Sequence, residues 1–172
     1  MNLETKSFDL KGALDIIKKF CLSKEIKLAV AESVSSGHLQ SLFSQESEAG
    51  LFYEGGITTY SCTQKKLQLL INPELCNPCN GVSKDISQTM AKNIAKLFDV
   101  DLSLSLTGYA SPLPEQNIFD LYAYGSICLH QEIIYCEKIR SERSQPEEIR
   151  EDYAAILIRN CSALLASRLQ GR

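Results

Sequence analysis

The chain has 172 residues, 44% apolar, 23% charged and 8% aromatic, a composition that excludes collagen-like, fibrous and disordered readings. A chain this long buries about 70% of its unfolded surface on folding, so a single domain over residues 1–172 can build a core without a metal or disulfide staple. Lys and Arg number 18 against 21 Asp and Glu, a formal charge of -3 with no basic block, which argues against a nucleic-acid partner.

The apolar runs are too short to cross a bilayer, and residues 1–12 are polar and mixed in charge, unlike a signal peptide. No membrane partner and a cytoplasmic location are expected. Seven cysteines are an odd number at irregular spacing. Cys21, Cys128, Cys136 and Cys161 fall inside apolar patterns as small hydrophobes, which fits a reducing compartment.

Along the chain the hydrophobic period alternates between helix and strand. Asp9 is placed to cap a helix to about residue 23, with Ala13, Ile16, Ile17 and Phe20 at helical spacing. Residues 26–31 form a short, nearly continuous apolar run, the pattern of a strand buried on both faces of a parallel sheet. Ser35, Ser36 and Gly37 turn the chain into a helix over residues 38–45. Gly55 and Gly56 open a second strand through Tyr60, and Thr63 is placed to cap a short helix carrying Leu67 and Leu70. Residues 72–81, with Pro73 and Pro78, read as loop.

Ser83 then caps a helix with Ile86, Met90, Ile94 and Leu97 on one side. Leu102, Leu104 and Leu106 alternate with Ser103 and Ser105 in a third strand that ends at Thr107 and Gly108. After a Pro-containing loop over residues 109–120, residues 121–129 and 132–139 read as an antiparallel pair with a tight turn at His130 and Gln131. A helix over residues 147–169 closes the chain, with Ile149, Tyr153, Ile156, Leu157, Leu164 and Leu165 as its buried stripe. The fold class is α/β: a three-layer α/β/α sandwich whose mostly parallel sheet has about five strands and one antiparallel pair. Ligands gather at the carboxyl ends of strands in such sheets, here Glu32 and Ser33, Tyr60 and Ser61, and Thr107 and Gly108.

Ser33, Ser35 and Gly37 lie where a small-residue turn meets a helix start, whose free N–H groups suit an anion. Cys76 and Cys79 are two thiols at chelating spacing, but zinc needs two further ligands, and His38 and His130 do not have ligand-pair spacing. A redox role would place the first cysteine at a helix start right after a strand, whereas Pro73 and Pro78 put this pair in a loop. No metal site and no cofactor are expected.

Ala31-Glu32-Ser33-Val34-Ser35-Ser36-Gly37, Gly56-Ile57-Thr58-Thr59-Tyr60-Ser61 with Lys65, Gly81-Val82-Ser83 and Thr107-Gly108-Tyr109-Ala110-Ser111-Pro112 follow the order and near spacing of the CinA C-terminal domain. The chain resembles that family from about residue 10 to 168, as a stand-alone domain. The resemblance implies an α/β/α sandwich, commonly a homodimer, and an amidohydrolase that converts nicotinamide mononucleotide to its carboxylate and ammonia, a step of pyridine-nucleotide salvage. It also implies a Lys acting as base for a Ser nucleophile, with Lys65 and Tyr60 matching the family's lysine and tyrosine.

The family's serine, fifteen residues before the lysine, falls on Gly50, which has no hydroxyl, and the nearest hydroxyl is Ser47. The family's arginine ahead of the last helix falls on Pro146, with Arg143 as a substitute only through an insertion. The expected catalytic residues are therefore Lys65, Tyr60 and Ser47, and the expected binding residues Glu32, Ser33, Ser35, Gly37, Thr107 and Gly108, around a pyridine nucleotide. A catalytically silent nucleotide-binding or regulatory protein is the alternative.

Overall fold

The structure, a computed structural model, describes residues 9–170. Residues 1–8, read above as part of a polar N-terminus, and residues 171–172 lie outside the described residues. Asp9 caps α1 (Leu10–Lys24) by accepting from the Gly12 N–H at 2.6 Å. The apolar run that follows becomes β1 (Leu28–Glu32), with every residue buried. Next come α2 (His38–Ser44), the single turn α3 (Ala49–Phe52) and β2 (Tyr53–Thr58).

The helix after β2, α4 (Cys62–Leu69), is capped by Ser61, which accepts from the Gln64 N–H, and not by Thr63, which lies inside it. Leu67 and Leu70 face outward, because the inward face of this helix carries Lys65 and Leu69, four residues apart. Residues 72–81 are not all loop. Asn72 caps the turn α5 (Pro73–Cys76), and a 3-10 turn continues it from Asn77 to Cys79. Pro73 is compatible with this as the first helical residue, whose N–H needs no partner.

Ser83 caps α6 (Lys84–Leu97) as its spacing predicts, accepting from the Ile86 N–H. Ile86, Met90 and Ile94 are buried while Leu97 is exposed at the helix end. β3 (Leu102–Gly108) is buried through Thr107, serines included. Its serines serve close packing of α6: Ser103 and Ser105 donate to the Ala91 and Ser87 carbonyls, each at 2.6 Å, and Ser87 bonds Ser126 across the same face. β4 (Ala123–Leu129) and β5 (Glu132–Ile139) form the hairpin, with His130 and Gln131 both at positive φ, as a two-residue turn requires. α7 (Pro146–Gln170) closes the fold, with Ile149, Tyr153, Leu157 and Leu165 buried and Ile156 and Leu164 partly so.

The sheet order is β2-β1-β3-β4-β5. β1 is parallel to both β2 and β3, while β4 runs against β3 and β5, so four of the five strands point one way. A core on one face joins α1, α2 and α7 to the sheet, and a smaller core on the other joins α4, α5 and α6. Cys21, Cys128, Cys136 and Cys161 are free and buried, as their apolar surroundings predict. Cys62 and Cys76 are disulfide-bonded, a departure from the expectation of a wholly reduced chain. Among the described residues no helix is long and apolar enough to cross a membrane.

Candidate functional site

The parallel strands β1, β2 and β3 deliver their carboxyl ends to one edge of the sheet. Backbone bonds carry this register past the strands: the Ser33 N–H donates to Leu106 O, and the Thr59 N–H donates to Glu32 O. Glu32 and Ser33 are adjacent in sequence but are used differently. The Glu32 carboxylate, fully buried, accepts from the N–H groups of Gly37, Leu39 and Gln40 at 2.9–3.1 Å and from the Ser35 hydroxyl at 2.6 Å. The helix start that the sequence offers to an anion thus already holds one, supplied by the chain itself. The Ser35 hydroxyl and the Gly37 N–H are both committed to Glu32.

Ser33 turns the other way and meets Lys65. The Lys65 Nζ, in a residue only 1% exposed, donates to Ser33 Oγ at 2.9 Å, Thr59 O at 2.8 Å and Tyr60 O at 3.4 Å. All three partners are uncharged. Burial pushes the Lys65 amine down from its ordinary value to about 8, against a lesser opposing effect from Cys79. An amine lowered in this way can present a lone pair to the Ser33 hydroxyl proton.

Ser33 lines a cavity of about 410 Å³, and Lys65 stands behind it. Its wall includes Ser33, Tyr60, Gly108 and Tyr109 from the strand ends, Asn77 and Asn80 from the segment after α5, and Arg150 from α7. The Tyr60 side chain is 78% exposed. Gly108 has no room for a side chain, since a Cβ would meet the Tyr122 carbonyl and Ala123. Thr107 lies behind the wall, fully buried, and donates to Gly81 O at 2.6 Å. Asn80 donates to Gln116 at 2.8 Å, joining two loops of the rim, and the Tyr153 hydroxyl ties α7 to Tyr109 O.

Of the residues singled out by the sequence, Ser33, Tyr60 and Gly108 come together on the wall, with Lys65 and Thr107 behind it. Ser47 does not join them. It sits in the turn between α2 and α3 and accepts from Lys18 Nζ of α1 at 2.9 Å. Gly50 lies in α3, and a Cβ there would meet nothing within 4 Å. Arg143 is exposed, and the arginine on the cavity wall is Arg150, which sequence counting passed over. Its position four residues after Pro146, beside buried Ile149, was the available signal once α7 is started at Pro146.

The model of the CinA C-terminal domain matches residues 11–161. The chain belongs to the CinA C-terminal domain family. Among curated relatives, a Listeria innocua protein bearing a competence-damage inducible name is 30% identical over 98 residues, 57% of this chain and 24% of that protein. The CinA-like protein of Syntrophomonas wolfei is 30% identical over 105 residues, 61% of this chain and 25% of its own length. The match thus spans about a quarter of these relatives. A crystal structure of a CinA superfamily protein from Enterobacter cloacae superposes with a TM-score of 0.86 at 18% identity, over 96% of this chain and 98% of that one. The competence or damage-inducible protein from Enterobacter asburiae gives 0.85 at 19%, over 92% and 99%. At those identities the likeness is one of fold.

Proposed function

We propose that this CinA-family chain hydrolyses the carboxamide of a pyridine nucleotide, nicotinamide mononucleotide by family resemblance, with Ser33 as nucleophile and Lys65 as its base. The observation that carries the reading is the 2.9 Å contact between the buried Lys65 amine and Ser33 Oγ at the wall of the cavity. As Ser33 Oγ attacks the amide carbon, Lys65 takes the hydroxyl proton and then passes it to the departing nitrogen, which leaves as ammonia. Water, deprotonated by the same amine, cleaves the resulting ester to the carboxylate and restores Ser33. Arg150 is the cation available to the phosphate, and Tyr60 and Tyr109 offer aromatic surface to the ring. The reading includes a cytoplasmic homodimer.

A second reading, a silent nucleotide-binding protein, is favoured by Gly50, which stands at the position of the family's serine. Ammonia release from nicotinamide mononucleotide by wild type, Ser33→Ala and Lys65→Met separates the two. Turnover by wild type that either substitution removes supports the hydrolase. A rise in melting temperature with the nucleotide, and no ammonia between pH 7 and 10, supports the silent protein.

A further inference from the structure

Three cysteines lie beside the cavity, and the proposed hydrolysis uses none of them. Cys62 is the first residue of α4, follows β2 closely and lines the cavity. This is the setting, a helix start right after a strand, in which a thiolate is stabilised. Its disulfide partner Cys76 is fully buried at the end of α5. Cys79 is free and partly exposed, and its Sγ lies 3.4 Å from the Cys76 carbonyl. Residues 76 and 77 both have right-handed helical backbone, which brings positions 76 and 79 to one face.

The disulfide is part of a tight junction. Gly81, at φ +72°, is wedged so closely that a Cβ there would stand 3.3 Å from Lys65 Cε and 3.4 Å from the sulfur of each of Cys62 and Cys76. The Gly81 carbonyl also accepts from Thr107, and its neighbours Asn80 and Val82 line the cavity. The Cys62 to Cys76 bond therefore clamps the wall segment over residues 72–82 onto the helix that carries Lys65.

We propose that Cys62, Cys76 and Cys79 form a thiol–disulfide exchange site, in which Cys79 takes over Cys76 and releases Cys62 as a free thiol at the cavity wall. The Cys79 thiol loses its proton to solvent, and its sulfur attacks Cys76 Sγ. The bond from Cys76 to Cys62 breaks, and Cys62 leaves with the electron pair and takes up a proton. One disulfide and one thiol exist before and after, so no oxidant or reductant is consumed. Exchange unclamps the cavity wall from α4 and leaves Cys62 open to thiol-reactive molecules.

The test uses the full chain purified without reductant and does not depend on hydrolysis. The protein is held at pH 8 with catalytic glutathione, free thiols are trapped with N-ethylmaleimide at intervals, and disulfides are mapped by mass spectrometry. The expected result is a Cys62–Cys76 peptide at the start and growth of maleimide-labelled Cys62 together with a Cys76–Cys79 peptide. Cys79→Ser should keep the first disulfide and slow Cys62 labelling at least tenfold, with circular dichroism confirming its fold. Free thiols at both Cys62 and Cys76 from the outset, or Cys62 labelling at the wild-type rate in Cys79→Ser, would overturn the proposal.

Discussion

Two lysines each contact a serine hydroxyl at 2.9 Å, on opposite faces of the sheet: Lys65 with Ser33 and Lys18 with Ser47. The lengths agree and the electrostatics oppose. Burial alone would lower the Lys18 amine, but Glu46 at 3.3 Å and Asp15 at 3.5 Å outweigh it and hold the ammonium above its ordinary value. Among the described residues Lys65 has no carboxylate partner, and burial brings it to about 8. A lysine locked as ammonium can only donate to its serine, whereas one that titrates near neutrality can accept from it. Glu32, the residue before Ser33, has its carboxylate held by the start of α2.

The largest contrast lies in catalysis. Lys65→Met and Ser33→Ala should each lower ammonia release from nicotinamide mononucleotide by about 100-fold or more, the usual worth of a positioned base or nucleophile. Ser47→Ala should change it by less than about twofold, and steady-state rates check all three. Next comes stability against pH. Folding lowers the Lys65 pKa, so the unfolded chain binds more protons between pH 8 and about 10.5. The group therefore makes the fold more stable as pH rises through that window, by up to about 3 kcal/mol. Urea unfolding of wild type minus Lys65→Met, followed from pH 7 to 10, should show that rise, and its absence would break the comparison.

Glu32→Gln removes the charge that four donors converge on, at a cost of about 2 kcal/mol, or about 4–8 °C in melting temperature for a chain of this size. The smallest effect belongs to Glu46→Gln, within about 1 kcal/mol by the same melt, since this pair is partly solvated.

Much of the frame was legible because its signals are local. Asp9 and Ser83 capped the helices their spacing implied, and the apolar run before Glu32 became a central buried strand. The misses came where tertiary packing outweighed pattern. Thr63 was placed to cap the helix after β2, yet Ser61 caps it, and Leu67 and Leu70 face outward because Lys65 and Leu69 take the inward face. In the site, the residues of the motifs do converge: Ser33, Tyr60 and Gly108 share one wall, and Lys65 meets Ser33 behind it. Counting back from Lys65 drew attention to Ser47 and Gly50, because sequence distance carries no information on which face a loop turns to. Ser33 was read as a binding residue, and only the fold of β1 against α4 turns its hydroxyl to the amine. The pairing of Cys62 with Cys76, fourteen residues apart, is equally invisible to spacing rules that favour Cys76 with Cys79.

The most direct measurement is the titration of the Lys65 amine itself, followed by NMR of the lysine side-chain carbons with Lys65→Arg to assign the signal. A midpoint near 8, with Lys18 still charged above 10, is the predicted result. A Lys65 midpoint at or above 10 would mean an ammonium at every working pH, and Ser33 would have no base.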